Sequence, residues 1–438
     1  MRAATLAIAA VLVSGCGDSN DAETAGRAPT PPEEPNILVL VTDDQRDRQM
    51  RFMPATRRLL GARGTTFTQA YVTTPLCCPS RGSIFSGKYA HNHGIIGADV
   101  AETVREYDLQ ETWPAILQRR GYRTGLSGKF LNSWPREERP EIMDFYRWAD
   151  RANASDANAR VDDLRVDDAL EFLRSTEEDD ERSWALTVAF HSPHVVYNPP
   201  ARYRDYDTGP YPQSEATFSR RSVAGKAQAV RDEQASERFV ERSWEGQGRE
   251  LRATDDLIRK LMDELESAGE LDDTLIIFLS DNGYMTGEHG LTKKAWPYLP
   301  SIHVPMIVRP PGGERAGARS DDLVANIDLA PTIFEAAGVE PDYTVDGRSL
   351  LSAAPREWLF LEGPRLSPRS PYKPWDAYID HETHFIQWRD EGEWQELYDL
   401  RRDPFEVENL MASDDPQAGA PYLELIDEAA GCAGSECP

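Results

Sequence analysis

Two adjacent pairs of side chains, Asp43-Asp44 and Asp281-Asn282, are the first candidates for chemistry. Three carboxylates and an amide oxygen form a hard-oxygen donor set of the kind that holds Ca²⁺ or Mg²⁺. Zinc is disfavoured, because no cluster of histidines and cysteines accompanies them. Three carboxylates brought close together repel strongly without a cation, so the metal expectation is electrostatic as well as compositional. A second constellation lies between the pairs. Leu76-Cys77-Cys78-Pro79-Ser80-Arg81-Gly82 follows a predicted strand, and Pro79 and Ser80 suit the opening of a helix. Cys77 then sits at a helix N-terminus, where free backbone N–H groups and the positive dipole end favour an anion. Arg81 adds a fixed fork for oxyanions. Lys129 closes the segment 122–129, and Lys293 and Lys294 lie between two predicted strands. A lysine is ordinarily a solvated surface charge. Near a metal crevice in so acidic a chain, it reads instead as a clamp for sulfate or phosphate oxygens.

The elements that must position these groups are visible as short apolar runs. Asn36–Val41, Trp184–Phe190, Thr274–Leu279 and Val304–Val308 have the look of buried parallel strands, and Thr65–Tyr71 is a further strand. Leu251, Thr254, Leu257, Ile258, Leu261, Met262 and Leu265 mark one face of a helix. Thr112 caps another that runs through Arg119 and ends at Gly121. Alternating strands and helices predict an α/β fold with a doubly wound, mostly parallel sheet flanked by helices. Three strands run directly into Thr42-Asp43-Asp44, His191-Ser192-Pro193-His194 and Ser280-Asp281-Asn282-Gly283. Ligand crevices of open α/β sheets lie beyond the carboxyl ends of the strands. Each motif alone is also what a loop with a helix N-cap looks like; the three together bring carboxylates, an amide and imidazoles to one edge. Beyond Asp328–Gly338, a capped helix, the segments Glu357–Leu361, Ala377–Ile379, His384–Trp388 and Glu396–Leu400 alternate between turns, as in a small antiparallel sheet. The expected division is a catalytic α/β domain over 36–345 and a C-terminal antiparallel subdomain and tail over 346–438.

Composition narrows the class of function. The 438 residues carry 48 basic and 75 acidic side chains, a net charge of −27. Such a chain lacks the basic face a nucleic-acid binder needs. With 40% hydrophobic residues and a mean hydropathy of −0.58, it is neither a polytopic membrane protein nor a disordered one. The run Ala3–Val13 after Arg2 is too short to span a bilayer, which takes about 20 residues; it reads as a signal peptide over 1–15. Val13-Ser14-Gly15-Cys16 resembles the bacterial lipobox, which implies lipidation of Cys16. The polar, Pro-rich stretch to Pro35 is then a disordered tether, and the expectation is an exported protein, lipid-anchored to the bacterial cell envelope. Cys432 and Cys437 suit a small disulfide in an oxidising compartment, whereas the adjacent Cys77 and Cys78 cannot easily pair.

Cys-x-Pro-Ser-Arg at 77–81 resembles the signature of the type I sulfatases of the alkaline phosphatase superfamily. In that family a separate formylglycine-generating enzyme oxidises the cysteine to Cα-formylglycine (3-oxoalanine). The resemblance extends over PNILVLVTDDQ at 35–45, CCPSRGSIFSGKYAHNHG at 77–94, GYRTGLSGKFLN at 121–132, AFHSPH at 189–194, FLSDNGYMTGEHG at 278–290 and ELYDLRRDPFEVENL at 396–410. The CCPSR, GKFLN and HNHG variants are most similar to the glucosamine-6-sulfatase and N-acetylglucosamine-sulfatase branch. The resemblance implies an alkaline phosphatase-like fold and a sulfuric ester hydrolase that releases sulfate from a sulfated carbohydrate. Carried over residue by residue, Asp43, Asp44, Asp281 and Asn282 bind Ca²⁺ (or Mg²⁺) together with residue 77. Arg81 holds the aldehyde hydrate, and Lys129 and Lys294 bind sulfate oxygens. Lys294 is preferred to Lys293 because the family places this lysine eleven residues before the proline that is Pro305 here. In the implied reaction one hydroxyl of the gem-diol attacks sulfur while an acid protonates the leaving alcohol. His194 then takes a proton from the remaining hydroxyl, and sulfate leaves as the aldehyde re-forms.

One departure concerns the first lysine. Many members carry a histidine two residues after it, and here the stretch is Lys129-Phe130-Leu131-Asn132. Asn132 is the candidate to hydrogen-bond substrate in its vicinity. His289 is a candidate leaving-group acid or substrate contact, with a loop histidine tied to a carbonyl as the equal alternative. His91 and His93 either contact substrate or cap the turn after the signature helix, and His381 and His384 read as structural. Two rival functions stand beside the sulfatase reading: a phosphonate or phosphate monoester hydrolase of the same superfamily, and a non-catalytic lipoprotein that binds sulfated glycans with Cys77 unmodified.

Overall fold

The computed structural model describes residues 34–97, 101–148, 158–177, 182–313, 316–365, 372–389, 394–412 and 417–438, all within one compact unit spanning Pro31–Pro438. The signal segment, Cys16 and the tether before Glu34 lie outside the described residues.

The strands are, in chain order, β1 (Asn36–Thr42), β2 (Thr65–Tyr71), β3 (Arg123–Gly128), β4 (Phe145–Arg147), β5 (Trp184–Ala189) and β6 (Thr274–Ser280). A two-stranded ribbon of β7 (Met285–Thr286) and β8 (Thr292–Lys293) precedes β9 (Met306–Arg309) and β10 (Ala318–Ala325). The last four are β11 (Leu359–Glu362), β12 (Trp375–Ile379), β13 (Thr383–Trp388) and β14 (Gln395–Asp399). Eight of these form one sheet in the order β10-β2-β9-β6-β1-β5-β3-β4. Strand β1 lies at its centre, parallel to β5 on one side and β6 on the other, with Thr42 opposite Ser280. Because both faces of the sheet are covered, β1, β5 and β6 are buried along almost their whole length and apolar through most of it instead of alternating.

Alternate residues of β1 feed two different cores. Ile37, Val39 and Val41 join Phe85, Trp113, Leu117 and Leu329 on one face. Leu38 and Leu40 meet Val166, Leu251, Ile258 and Leu261 on the other. The helix Glu237–Ala268 supplies much of that second layer, and all seven residues of the predicted apolar face are buried. Ser236 Oγ caps it by accepting from the Phe239 N–H at 3.2 Å, and Gly269 ends it at φ 80°. Each large aliphatic side chain buried along this stripe contributes roughly 1.5–3 kcal/mol.

One strand departs from the expectation. Residues around Val304–Val308 read as a parallel strand, but β9 runs antiparallel to both β6 and β2. The reason is the connection. A parallel return requires a crossover to the opposite edge, usually through a helix. The chain between Ser280 and Met306 instead turns back at the carboxyl edge, tied by Gly283 N–H to Ser301 O (2.9 Å) and Tyr284 N–H to Pro300 O (2.7 Å). All four β9 residues are buried, so burial carries no record of direction. Two antiparallel pairings restore β2 to the direction of β6, and the carboxyl ends of β1, β2, β3, β5 and β6 share one rim.

The C-terminal segments form the expected antiparallel meander, β11-β12-β13-β14. Leu359, Leu361, Ala377, Ile379 and Ile386 share one face of it, and the meander joins Tyr71, Tyr89, Leu323, Ala325 and Ile327 in one core near β2 and β10. Cys432 and Cys437 are joined in a disulfide. No helix among the described residues is long and apolar enough to cross a membrane.

Candidate active site

The register of β1 against β6 sets two acidic turns side by side. Asp43 and Asp44 leave the end of β1, Asp281 and Asn282 the end of β6, and the Asp281 N–H donates to Thr42 O at 3.0 Å. Asp44 adopts φ 74°, a left-handed conformation that costs about 1–3 kcal/mol in a non-glycine residue. Its N–H donates to Asp281 Oδ1 at 3.3 Å. All four side chains are buried.

Strand β2 delivers the third group. The chain beyond it turns into the helix Cys77–Ser86, whose first residue places Sγ 3.4 Å from Asp43 Oδ1. Arg81, one turn on, points along the same face. Its Nε donates to Asp281 Oδ2 at 2.8 Å and its Nη1 to Lys129 O at 2.7 Å, while Nη2 lies 3.5 Å from Asp43 Oδ2. Lys129 leaves the end of β3, and its Nζ donates to Asp43 Oδ2 at 2.7 Å. Gly128 makes that approach possible: at φ 113°, any Cβ would fall 2.1 Å from Ala189 O. Lys294 follows the β7–β8 ribbon. Its Nζ donates to Asp44 Oδ1 and, at 2.7 Å, to Cys77 Sγ, whereas Lys293 faces solvent. From the end of β5, His194 brings Nε2 to 3.8 Å from Asp44 Oδ2.

Three anionic carboxylates thus interleave with three permanent cations, and the electrostatics follow. Burial alone would push the Asp43 carboxyl up, but Lys129, His194, Lys294 and Arg81 outweigh it and hold the group well below its usual value. Burial and the charge of Asp43 raise Asp281, against Arg81. Burial opposes the charge on Lys129 and Lys294, yet the carboxylates around them raise both. Burial, reinforced by Asp43, pushes the Cys77 thiol up to about 12. An unmodified Cys77 is therefore a protonated thiol at neutral pH and a weak nucleophile.

Asp43, Asp44, Cys77 and Asp281 each offer an atom lying within 4.8 Å of the others. Asn282 completes the set. Its Nδ2 donates to Asp44 Oδ1 (2.7 Å) and Gly283 O (2.8 Å), which leaves Oδ1 buried and without a hydrogen-bond donor. An orphaned buried acceptor among carboxylates is what a bound cation satisfies. The residues present fit a metal ion.

The other sequence candidates lie elsewhere. Asn132 is beside the signature helix, its backbone O accepting from Cys78 Sγ at 3.6 Å and its side-chain oxygen buried without a partner. His93 packs beneath that helix against Gly82, with Nε2 3.1 Å from Ser83 Oγ, and desolvation pushes it down to about 3. His289 packs against Tyr298 with centroids 4.6 Å apart and the rings tilted by 50°, and burial and Lys226 hold it well below its usual value. His91 bridges Glu362 (3.2 Å) and Cys432 O (3.1 Å). His384 is fully buried with Nδ1 2.6 Å from Glu406, while His381 is exposed.

Asp162 and Arg165 were not singled out in the sequence. Asp162 accepts from the His191 (2.7 Å) and Ser192 (3.1 Å) N–H groups and pairs with Arg165 at 3.2 Å, and so anchors the loop that carries His194. Both belong to an acidic helix, Asn158–Glu177, whose alternating charges look like a solvated face; nothing in the pattern separates these two.

A family model described as Sulfatase matches residues 35–339. The chain belongs to the sulfatase family. Among curated relatives, this sulfatase-family enzyme is 32% identical over 353 residues to an "Extracellular sulfatase SULF-1 homolog" of Drosophila melanogaster, covering 72% of this chain and 31% of that one. The chain therefore spans about a third of that relative's length. It is 28% identical over 476 residues to the human N-acetylglucosamine-6-sulfatase, covering 92% of this chain and 86% of the relative. A protein solved in complex with its substrate, D-glucosamine-2-N,6-O-disulfate, superposes with a TM-score of 0.78 at 21% identity, covering 90% of this chain and 97% of that one. The eight-stranded mixed sheet with its separate four-stranded sheet is thus the fold of the sulfatases.

Proposed function

We propose that the protein is a sulfuric ester hydrolase that releases inorganic sulfate from a glucosamine-type sulfated sugar. The observation that carries the reading is the setting of Cys77. It occupies a helix N-terminus 3.4 Å from Asp43 and 2.7 Å from the Lys294 ammonium, inside a ring of three carboxylates and three cations. In the overall reaction water oxygen ends on sulfur, the S–O bond to the sugar breaks, and the sugar oxygen takes a proton. Arg81, Lys129 and Lys294 are placed to absorb charge on the sulfate oxygens, and each such donor contributes typically 10²–10³ in rate. His194 holds or moves a proton at the face of residue 77. Asn132 is the proposed hydrogen-bonding group beside the first lysine, and His93 and His289 are the remaining candidates for substrate contact.

Formylglycine at position 77, installed by a formylglycine-generating enzyme, supplies a nucleophilic hydroxyl in hydrated form, and Ca²⁺ (or Mg²⁺) on Asp43, Asp44, Asp281, Asn282 and residue 77 makes that hydroxyl easier to ionise. The Cys-x-Pro-Ser-Arg motif at 77–81 supports the modification, and the orphaned Asn282 Oδ1 supports the metal. We further propose catalytic residues 36–345, a C-terminal subdomain over 346–438, and export with anchorage through lipidated Cys16.

The test is a panel of sulfated mono- and disaccharides incubated with protein co-expressed with the maturation enzyme, beside matched phosphate and phosphonate esters and a Cys77→Ala control. Sulfate release that disappears in the control, with slower turnover of the phosphorus esters, is the expected result. Faster phosphonate hydrolysis would replace the reading with its nearest rival. Binding without turnover by co-expressed protein whose Cys77 peptide keeps the thiol mass would leave the glycan-binding lipoprotein.

A further inference from the structure

A groove of about 560 Å³ opens beside His194. One flank is the chain that follows the histidine. Val195 and Val196 are 39% and 74% exposed there, two of the four large apolar side chains that are exposed among the described residues. Tyr197 turns down onto the helix Glu237–Ala268 at Gly246, where a Cβ would meet its ring at 2.4 Å. The other flank is the opening turns of that helix, with Arg238, Phe239 and Arg242.

The two arginines are exposed, one turn apart and on one face, and neither makes an ion pair or hydrogen bond with any described residue. In a chain of net charge −27, Arg46, Arg81, Arg165 and Arg356 are each committed to a buried carboxylate; Arg238 and Arg242, like exposed Arg57, Arg58 and Arg204, are not, and these two are the uncommitted ones that line this groove. Arg249, deeper in the same groove, is occupied by Glu245 at 3.3 Å. Glu237 and Glu241 of the same turns line a different cavity, with Trp244. Glu245 lines both cavities but is paired with Arg249, so the uncommitted charges left in the groove are the two arginines. The positive end of the helix dipole, at Ser236, lies in the groove as well.

We infer that this groove is an accessory subsite for a second anionic group, sulfate or carboxylate, carried on the sugar unit next to the ester being cleaved. The inference rests on the sulfate-ester reading of the rim. Apolar Val195, Val196 and Phe239 suit the C–H faces of a sugar ring, while Arg238 and Arg242 suit its charged substituent. Reach is adequate: the Cα of Val196 is at most about 7.6 Å from that of His194, and His194 lies 3.8 Å from Asp44. An acidic protein repels a polyanion at long range, so a local cationic patch is needed to seat it.

The test compares 6-sulfated N-acetylglucosamine with the same sugar linked to a 2-sulfated uronic acid, at low ionic strength. Wild type should favour the polyanionic substrate by about tenfold in kcat/KM, the scale of two exposed arginine–anion pairs, and added salt should erase the preference. In Arg238→Gln/Arg242→Gln the ratio should fall towards one, mostly through KM, and Arg238→Lys/Arg242→Lys should restore part of it. A wild-type ratio near one, or a variant that lowers both substrates equally, overturns the inference. Absence of sulfate release from either compound would count against the hydrolase reading alone. Calorimetric titration of the same two compounds onto wild type and the Gln variant then decides the subsite: tighter binding of the polyanion that the variant loses sustains it, and equal affinities overturn it.

Discussion

Arg81 combines contacts that no lysine could reproduce, because its planar fork reaches Asp281, the Lys129 carbonyl and the neighbourhood of Asp43 at once. Arg81→Lys retains the charge and loses the fork. Sulfate release should fall by about a hundredfold or more while the fold persists; near-wild-type turnover would show that the guanidinium only neutralises carboxylates. Asn282 separates metal binding from charge. In Asn282→Ala an amide oxygen disappears and every carboxylate remains, so affinity for Ca²⁺, read by titration calorimetry on chelator-stripped protein, should weaken about ten- to hundredfold. An unchanged affinity would remove this side chain from the donor set. The acidic pairs and lysines were legible because they stand just beyond strands, and Cys77 and Arg81 because they open the helix that follows β2. What sequence could not supply was direction: His93 and His289 have the right chemistry but pack under a helix and against Tyr298.

Strands deliver the groups, and their fit depends on a few backbone positions. Gly128→Ala places a methyl 2.1 Å from Ala189 O at a φ of 113°. Stability should drop by about 3 kcal/mol or more, read from chemical denaturation, and the surviving folded enzyme should show a raised KM as Lys129 is displaced. A neutral substitution would mean that the β3–β5 spacing is not fixed. Of the architecture, the central strands, the long helix and the C-terminal meander announced themselves by unbroken or alternating apolar runs. The reversal of β9 left no such mark, because a strand buried on both faces has the same composition in either direction. Strand β10, half exposed and carrying Arg319, Asp321 and Asp322, has little of the apolar character that identifies a strand.

Taken as one cooperative unit, the protein stores a pH dependence in its imidazoles. Burial pushes His93 and His191 down to about 3, and burial with Lys226 holds His289 well below its usual value. The unfolded chain binds protons near 6.5 that these three refuse when folded, so each removes up to about 1.4 kcal/mol of stability per pH unit below that value. For His91, burial is outweighed by Glu362 and the folded pKa is raised, so its contribution is complete below the unfolded value and fades as pH rises through the folded one. Thermal melts should lose several degrees between pH 7 and pH 5, with net proton uptake on unfolding; a flat profile would contradict the burial of the three rings. The antiparallel β9 has a consequence of a different kind. Since β6 ends and β9 begins at the same rim, residues 281–305 form one excursion carrying Asp281, Asn282 and Lys294, moored to distant chain by bonds such as Ala295 N–H to Pro75 O and His289 N–H to Ala216 O, each 2.9 Å. Half the ion cradle and one clamp thus travel on a single stretch, and any displacement of that stretch would move both together while leaving the strand order beneath it intact.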